Sequence, residues 1–210
     1  MKKIILATML VSFSGNVFAQ NETLDSGIKK AQTQWEEAKY KLPQKSDRLA
    51  KYEECAVDAQ KLALQFPTEA SPIVWQGICT ASQAELLKVA ALGKAKAAKA
   101  LFEGALKIDE KALNGSAYTN LGVLYHRVPG WPIGFGSKEL AQENFKKALE
   151  IAPNNVDANY FYALFLIDQD KKDEALARLK IALDAPSRNR PFADKKRKEE
   201  VQNKINELTK

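Results

Sequence analysis

The chain has 210 residues, 32 Lys or Arg against 26 Asp or Glu, a net charge of +6, and a 45% share of hydrophobic residues. That length suits one or two ordinary domains around a continuous core. Beyond the N-terminus no apolar run approaches the roughly 18 residues of a membrane helix, so no membrane span is expected.

Residues 1–19 read as a secretory signal peptide. Lys2 and Lys3 precede a mostly apolar stretch over 4–13, and Val17-Phe18-Ala19 offers a small-x-small cleavage site before Gln20. Cleavage after Ala19 predicts a periplasmic protein. No cysteine stands at the cut, so no lipid anchor is expected, and export makes nucleic acid a poor partner. Cleavage removes two lysines and no acids, so +6 becomes +4. From Pro186 onward eight Lys or Arg face four acids, and this tail carries the whole excess. The reading favoured is a solvated helix face; contact with anionic lipid or an acidic partner is the other.

The rest of the chain reads as helices. The first covers 24–42, with Ile28, Ala31, Trp35 and Ala38 at three- and four-residue steps, and Pro43 stops it. Ser46 and Asp47 are expected to cap a second helix reaching Phe66. Ser71 is expected to cap a third over 72–92, ended by Gly93, and a fourth covers 94–112. Asn114-Gly115-Ser116 marks a break. Further helices are expected over 117–127, 137–151 (capped by Ser137), 156–167 and 172–183. A last one, 193–208, sets Val201, Ile205 and Leu208 on a narrow stripe suited to covering the end of a stack.

These segments repeat. Slid by 43 residues, Trp75, Ala98, Phe102, Ala105 and Leu106 land on Tyr118, Ala141, Phe145, Ala148 and Leu149. A weaker copy follows 34 residues later at Ala175, Leu179, Ala182 and Leu183. Helical units of such a period cannot bury their apolar faces alone and stack into a solenoid. The spacing Leu121-Gly122, Tyr125, Ala141, Phe145, Ala148, Pro153 resembles the tetratricopeptide repeat (TPR). The resemblance implies an all-α fold, a right-handed α-solenoid of TPR-like antiparallel helix pairs with a C-terminal capping helix. After the signal peptide, 20–210 is read as a single domain with repeats at 24–67, 71–112, 115–153 and 156–186.

A narrower resemblance rests on Gly115-Ser116-Ala117-Tyr118-Thr119-Asn120-Leu121-Gly122, on the 128–136 loop (Val128-Pro129-Gly130-Trp131-Pro132-Ile133-Gly134-Phe135-Gly136), and on Asn159-Tyr160-Phe161-Tyr162. Together these are similar to the TatT components, exported TPR partners of TRAP transporters. That resemblance implies association with a periplasmic substrate-binding protein and a cleft for a small apolar ligand. The rival reading is a structural adaptor in cell-envelope assembly, acting through its convex face or basic tail. The repeats also leave room for oligomerisation.

Candidate binding residues follow from the helix period. Residues one, five and eight places after each key aromatic form a stripe: Gln76, Thr80 and Gln83, then Thr119, Val123 and His126. In the last repeat Tyr160, Leu164 and Ile167 continue it. In TPR proteins this stripe tends to line the concave groove. It is uncharged here and lacks a basic clamp for a carboxylate, which predicts an apolar segment or small apolar ligand rather than an anionic tail. In the 128–136 loop, Trp131, Ile133 and Phe135 form either a plug against the repeat, the favoured reading, or an aromatic surface for a partner. Arg127 is expected in a surface ion pair, and the lone His126 as a packed, hydrogen-bonded residue. Cys55 and Cys79 fall on neighbouring helices and read equally well as a disulfide or as two buried thiols. No His/Cys/carboxylate set, phosphate loop or nucleophile elbow stands in the sequence, so no enzyme, metal or cofactor is expected.

Overall fold

The computed structural model describes residues 23–210, so the expected signal peptide lies outside the described residues. Among them are nine helices and no strand. The first four are α1 (Leu24–Tyr40), α2 (Lys45–Gln65), α3 (Ala70–Leu86) and α4 (Ala91–Ile108). There follow α5 (Ala112–Arg127), α6 (Lys138–Ile151), α7 (Val156–Ile167), α8 (Lys172–Asp184) and α9 (Pro191–Leu208). Consecutive helices pack as pairs, α1 with α2 through α7 with α8, and α9 lies along α8. The fold is the all-α solenoid that the repeats predict.

What brings each pair together is a small residue facing a large one. A Cβ built on Gly27 would come within 2.5 Å of Leu62, one on Gly77 within 2.5 Å of Phe102, and one on Gly122 within 2.8 Å of Phe145. In the fourth pair the buried Ala163 and Leu179 take these places. Backbones can approach so closely only where no side chain intervenes. The large partners are fully buried, and with their neighbours they form three linked cores along α1–α3, α3–α5 and α6–α9.

This contact corrects the repeat register. Phe102 and Phe145 are 43 residues apart, but Gly77 and Gly122 are 45 apart, so the first helices of the two units are offset by two. Trp75 therefore corresponds to Asn120 rather than to Tyr118. Trp75 is buried in the wall of the concave face, whereas the half-buried Tyr118 donates its hydroxyl to Glu110 at 3.0 Å beneath the Lys147 ammonium. Packing fixes the glycine against the ring and leaves the length of chain between them free.

Helix boundaries follow local chemistry where it is strong. Ser137 accepts the Leu140 N–H at 3.2 Å, and Asn155 accepts from Asp157 and Ala158 to open α7. Leu113, Asn114 and Gly115 all take left-handed φ of 48–71°, so the predicted break survives as a tight turn at the start of α5. The other caps differ. Gln44 and Glu69 stand at the N-caps of α2 and α3 without a side-chain bond, in place of Ser46 and Ser71. The third helix ends at Leu86, and Gly93 falls in the first turn of α4. No breaker residue stands between 86 and 91, so docking of Ala95, Ala98 and Phe102 onto α3 sets that break.

Gly122→Leu is expected to destabilise the fold by about 1–3 kcal/mol through overpacking on Phe145. Gly104→Ala, in α4 with open space around it, should instead add about 0.5–1 kcal/mol. Urea unfolding of the two variants beside the parent checks both.

Candidate functional site

The concave face encloses a cavity of about 930 Å³. Each unit contributes successive turns of its first helix: Trp35 and Lys39 of α1, Ile78 and Ser82 of α3, Val123 and Arg127 of α5, Phe161 of α7. The remaining side is closed by the C-terminal arm, which supplies Arg188, Arg190 and Arg197.

The arm is held by charge. Arg197, 3% exposed, donates Nε to Asp157 Oδ1 at 2.7 Å and pairs through Nη1 with Glu200. Its guanidinium lies 4.6 Å and 4.9 Å from the Tyr160 and Phe161 ring centres. Arg188 pairs with Asp157 and donates Nε to Asp194 at 2.6 Å. Arg190 reaches the first helix, donating Nε to Glu36 at 2.6 Å while stacking 5.7 Å from Trp35 and 5.3 Å from Trp75. Beside it Phe192 packs edge-on against Tyr40. The solvated tail expected from the sequence is corrected here. Its arginines turn inward because Asp157, Glu36, Asp194 and Glu200 offset the cost of burying them. The stripe of α9 does cover the last repeat, with Val201 fully buried in the core shared with α8.

These contacts bias ionisation. Burial alone would raise the Asp157 pKa, but Arg197 and Arg188 outweigh it and hold the carboxyl well below the usual range. Burial likewise disfavours the Arg197 cation, yet Asp157 and Glu200 prevail and push its pKa up. Lys39 moves the other way: burial, then Arg197, lower it to about 8 against the pull of Glu200 and Asp157. Burial pushes the Tyr40 phenol up.

Of the expected groove residues, Thr119 and Val123 line the cavity. Gln76, Thr80, His126, Tyr160, Leu164, Trp131 and Phe135 do not. Thr80 donates to the Gln76 carbonyl, and Gln83 donates to the Tyr52 carbonyl at 3.3 Å, so both polar side chains are spent on backbone oxygens. His126 Nε2 lies 2.8 Å from Asp168 Oδ2, with its ring edge on Phe165. Tyr160 sits under Arg197, and its neighbour Phe161 faces the cavity instead. The two-residue offset explains the displaced stripe in α3. The expectation of an uncharged groove is also corrected, since Lys39, Arg48, Lys88, Arg127 and the three arginines of the arm line it against Glu85 and Asp157.

The 128–136 loop divides. Phe135 packs edge-on against Tyr125 as a plug, while Trp131 and Ile133 are 90% and 69% exposed. Gly136 N–H donates to the Pro129 carbonyl at 2.9 Å, and a Cβ on Gly136 would overlap the Val128 carbonyl, so the loop closes on itself and holds Trp131 outward. Arg127 pairs with Glu85. Cys55 and Cys79 are joined as a disulfide between α2 and α3, Cα atoms 6.0 Å apart.

Sequence reasoning missed Asp157, Arg188, Arg190 and Arg197 as cavity residues. Pairing Asp157 with Arg197 across 40 residues leaves no mark in a single sequence.

Asp157→Ala should destabilise the fold by about 3–5 kcal/mol by removing the carboxylate that Arg197 and Arg188 share. Asp173→Ala, exposed in the first turn of α8, is expected within about 0.5 kcal/mol of the parent in the same unfolding measurement. Because the folded Lys39 pKa lies below its ordinary value, the unfolded chain binds more protons between pH 8 and about 10.5. Stability of the parent relative to Lys39→Met should therefore rise, by on the order of 2 kcal/mol, as pH goes from 7 to 9.5. Denaturation midpoints at the two pH values test it.

Residues 139–194, covering α6 to the start of α9, match the tetratricopeptide repeat family. No curated protein sequence matches the chain. TTC0263, a thermophilic TPR protein of Thermus thermophilus, superposes with a TM-score of 0.55 at 12% identity, covering 86% of this chain and 99% of its own. MamA from residue 41 to its end, of Desulfovibrio magneticus RS-1, gives a TM-score of 0.46 at 16% identity over 89% and 97%. The family match covers residues 139–194, and the first of these structures shares the fold of stacked helix pairs described above.

Proposed function

We propose that the chain is an exported periplasmic binding module which takes a protein segment or a small ligand into its concave cavity. A tetratricopeptide fold suggests a protein-interaction scaffold and not a catalyst. The observation that carries the proposal is the cavity itself, about 930 Å³, lined by the first helix of every unit and closed by the arm. The resemblance of 115–122, 128–136 and 159–162 to TatT components favours, as partner, the substrate-binding protein of a TRAP-type transport system.

The adaptor reading, through the convex face or the basic tail, has one observation in its favour, the exposed Trp131 outside the cavity lining. Its basic-tail version loses support because Arg188, Arg190 and Arg197 are engaged internally.

A photo-crosslinking residue at Val123, inside the cavity, should capture a periplasmic partner in living cells, and one at Trp131 should not. The captured chain is expected to be a transporter substrate-binding protein, and the mature protein should lack residues 1–19 by mass. Capture only from Trp131 would transfer the function to the loop and the adaptor.

A further inference from the structure

We propose that the cavity selects an organic anion, a carboxylate joined to an apolar chain, with the acid held between Arg48 and Lys88. The inference rests on the cavity being the binding site. It reverses the apolar ligand expected from the sequence.

The argument begins with charge. Seven basic residues line the cavity against two acidic ones. Five of the seven are matched by nearby acids. Arg188 and Arg197 share Asp157, with Asp194 and Glu200 beside them. Arg190 has Glu36, Lys39 lies 3.7 Å from Glu200, and Arg127 has Glu85. Arg48 and Lys88 remain. Arg48 donates Nε to the Ala38 carbonyl at 3.1 Å, and neither it nor Lys88 has a carboxylate partner among the described residues.

The register of α2 on α3 brings these two cations to the same end of the helix pair. Cys55 is bonded to Cys79, and three residues up α2 the Tyr52 carbonyl takes the Gln83 amide. One further turn of each antiparallel helix brings Arg48 alongside the end of α3, where Lys88 follows. Elsewhere in the lining two buried donors have no hydrogen-bond partner among the described residues, the Trp75 indole N–H of α3 and Arg190 Nη2 of the arm.

The other wall carries the apolar groups. Leu92 of α4, Val123 and Leu124 of α5, and Val128 and Ile133 of the loop line it beside Thr119, Asn120 and Arg127. At the mouth Val89 is 100% exposed and Ile133 69% exposed, leaving apolar area in water on both lips. A neutral apolar guest would cover the half-buried Arg48 without compensation, and a cationic one would add to the repulsion of Arg48 and the exposed Lys88. A guest with an acid at one end and a chain at the other satisfies both walls. The volume suits a ligand of drug size.

The test uses the mature chain carrying Trp131→Phe, so that fluorescence reports only Trp35 and Trp75 of the cavity wall. Decanoate, decanol and decyltrimethylammonium are titrated with calorimetry in parallel. Decanoate should bind at least about tenfold more tightly than the other two. Arg48→Gln and Lys88→Gln should each weaken it about tenfold, Lys88→Gln with unchanged melting temperature, and Ile133→Asp should weaken it as well. Equal binding of decanol or of the ammonium, or no binding of decanoate, overturns the inference. So does an apolar peptide whose free C-terminus binds more than about tenfold tighter than decanoate. If these amphiphiles fail while the Val123 crosslink still captures a partner, the choice of ligand falls and the binding-module reading stands.

Discussion

The architecture depends on one repeated contact, a residue with little or no side chain set against a large buried one where two helices cross. Gly27 on Leu62, Gly77 on Phe102, Gly122 on Phe145 and Ala163 on Leu179 place the helices of each pair at a fixed close distance. Because every unit uses the same crossing, the first helices line up on the inside of the stack, joined at the cavity by the N-terminal turns of α2 and α4. The concave cavity follows from that arrangement. It needs no residue of its own to create it, only residues to furnish it.

The furnishing is electrostatic. Three arginines of the arm enter a space walled by Trp35, Trp75 and Phe161, where unpaired cations would cost several kcal/mol each. They remain because Glu36, Asp157, Asp194 and Glu200 meet them, and because the aromatic faces accept the guanidinium planes. Lys39 marks the limit of this arrangement. It has acids nearby and rings beneath, yet burial beside Arg197 still weakens its hold on a proton.

The sequence made the helices legible, and among the crossings that of Gly122 on Phe145, because apolar residues at three- and four-residue steps are a local, periodic signal. Ser137 and Asn114-Gly115 also carried enough local chemistry to mark a cap and a turn. The register between units was misread by two residues. Aligning Trp75 with Tyr118 matched aromatic character, whereas the fold aligns glycines against rings. The site was largely hidden for a different reason. The basic tail looked like a solvated surface until its partners, scattered from Glu36 to Glu200, were gathered around it. Nothing in spacing or composition ties residue 36 to residue 190.

Arg190 bound to Glu36, with Phe192 against Tyr40, joins the last element of the chain to the first. An open array of repeats can fray from its ends or lose a terminal unit with only a proportionate loss of stability. A linked one has no free end on that side. Removal of α1 or of α9 therefore unseats the other, and the described helices melt as a single cooperative body instead of unit by unit. Lengthening by duplication is barred for the same reason, since an inserted pair would carry the two termini out of reach.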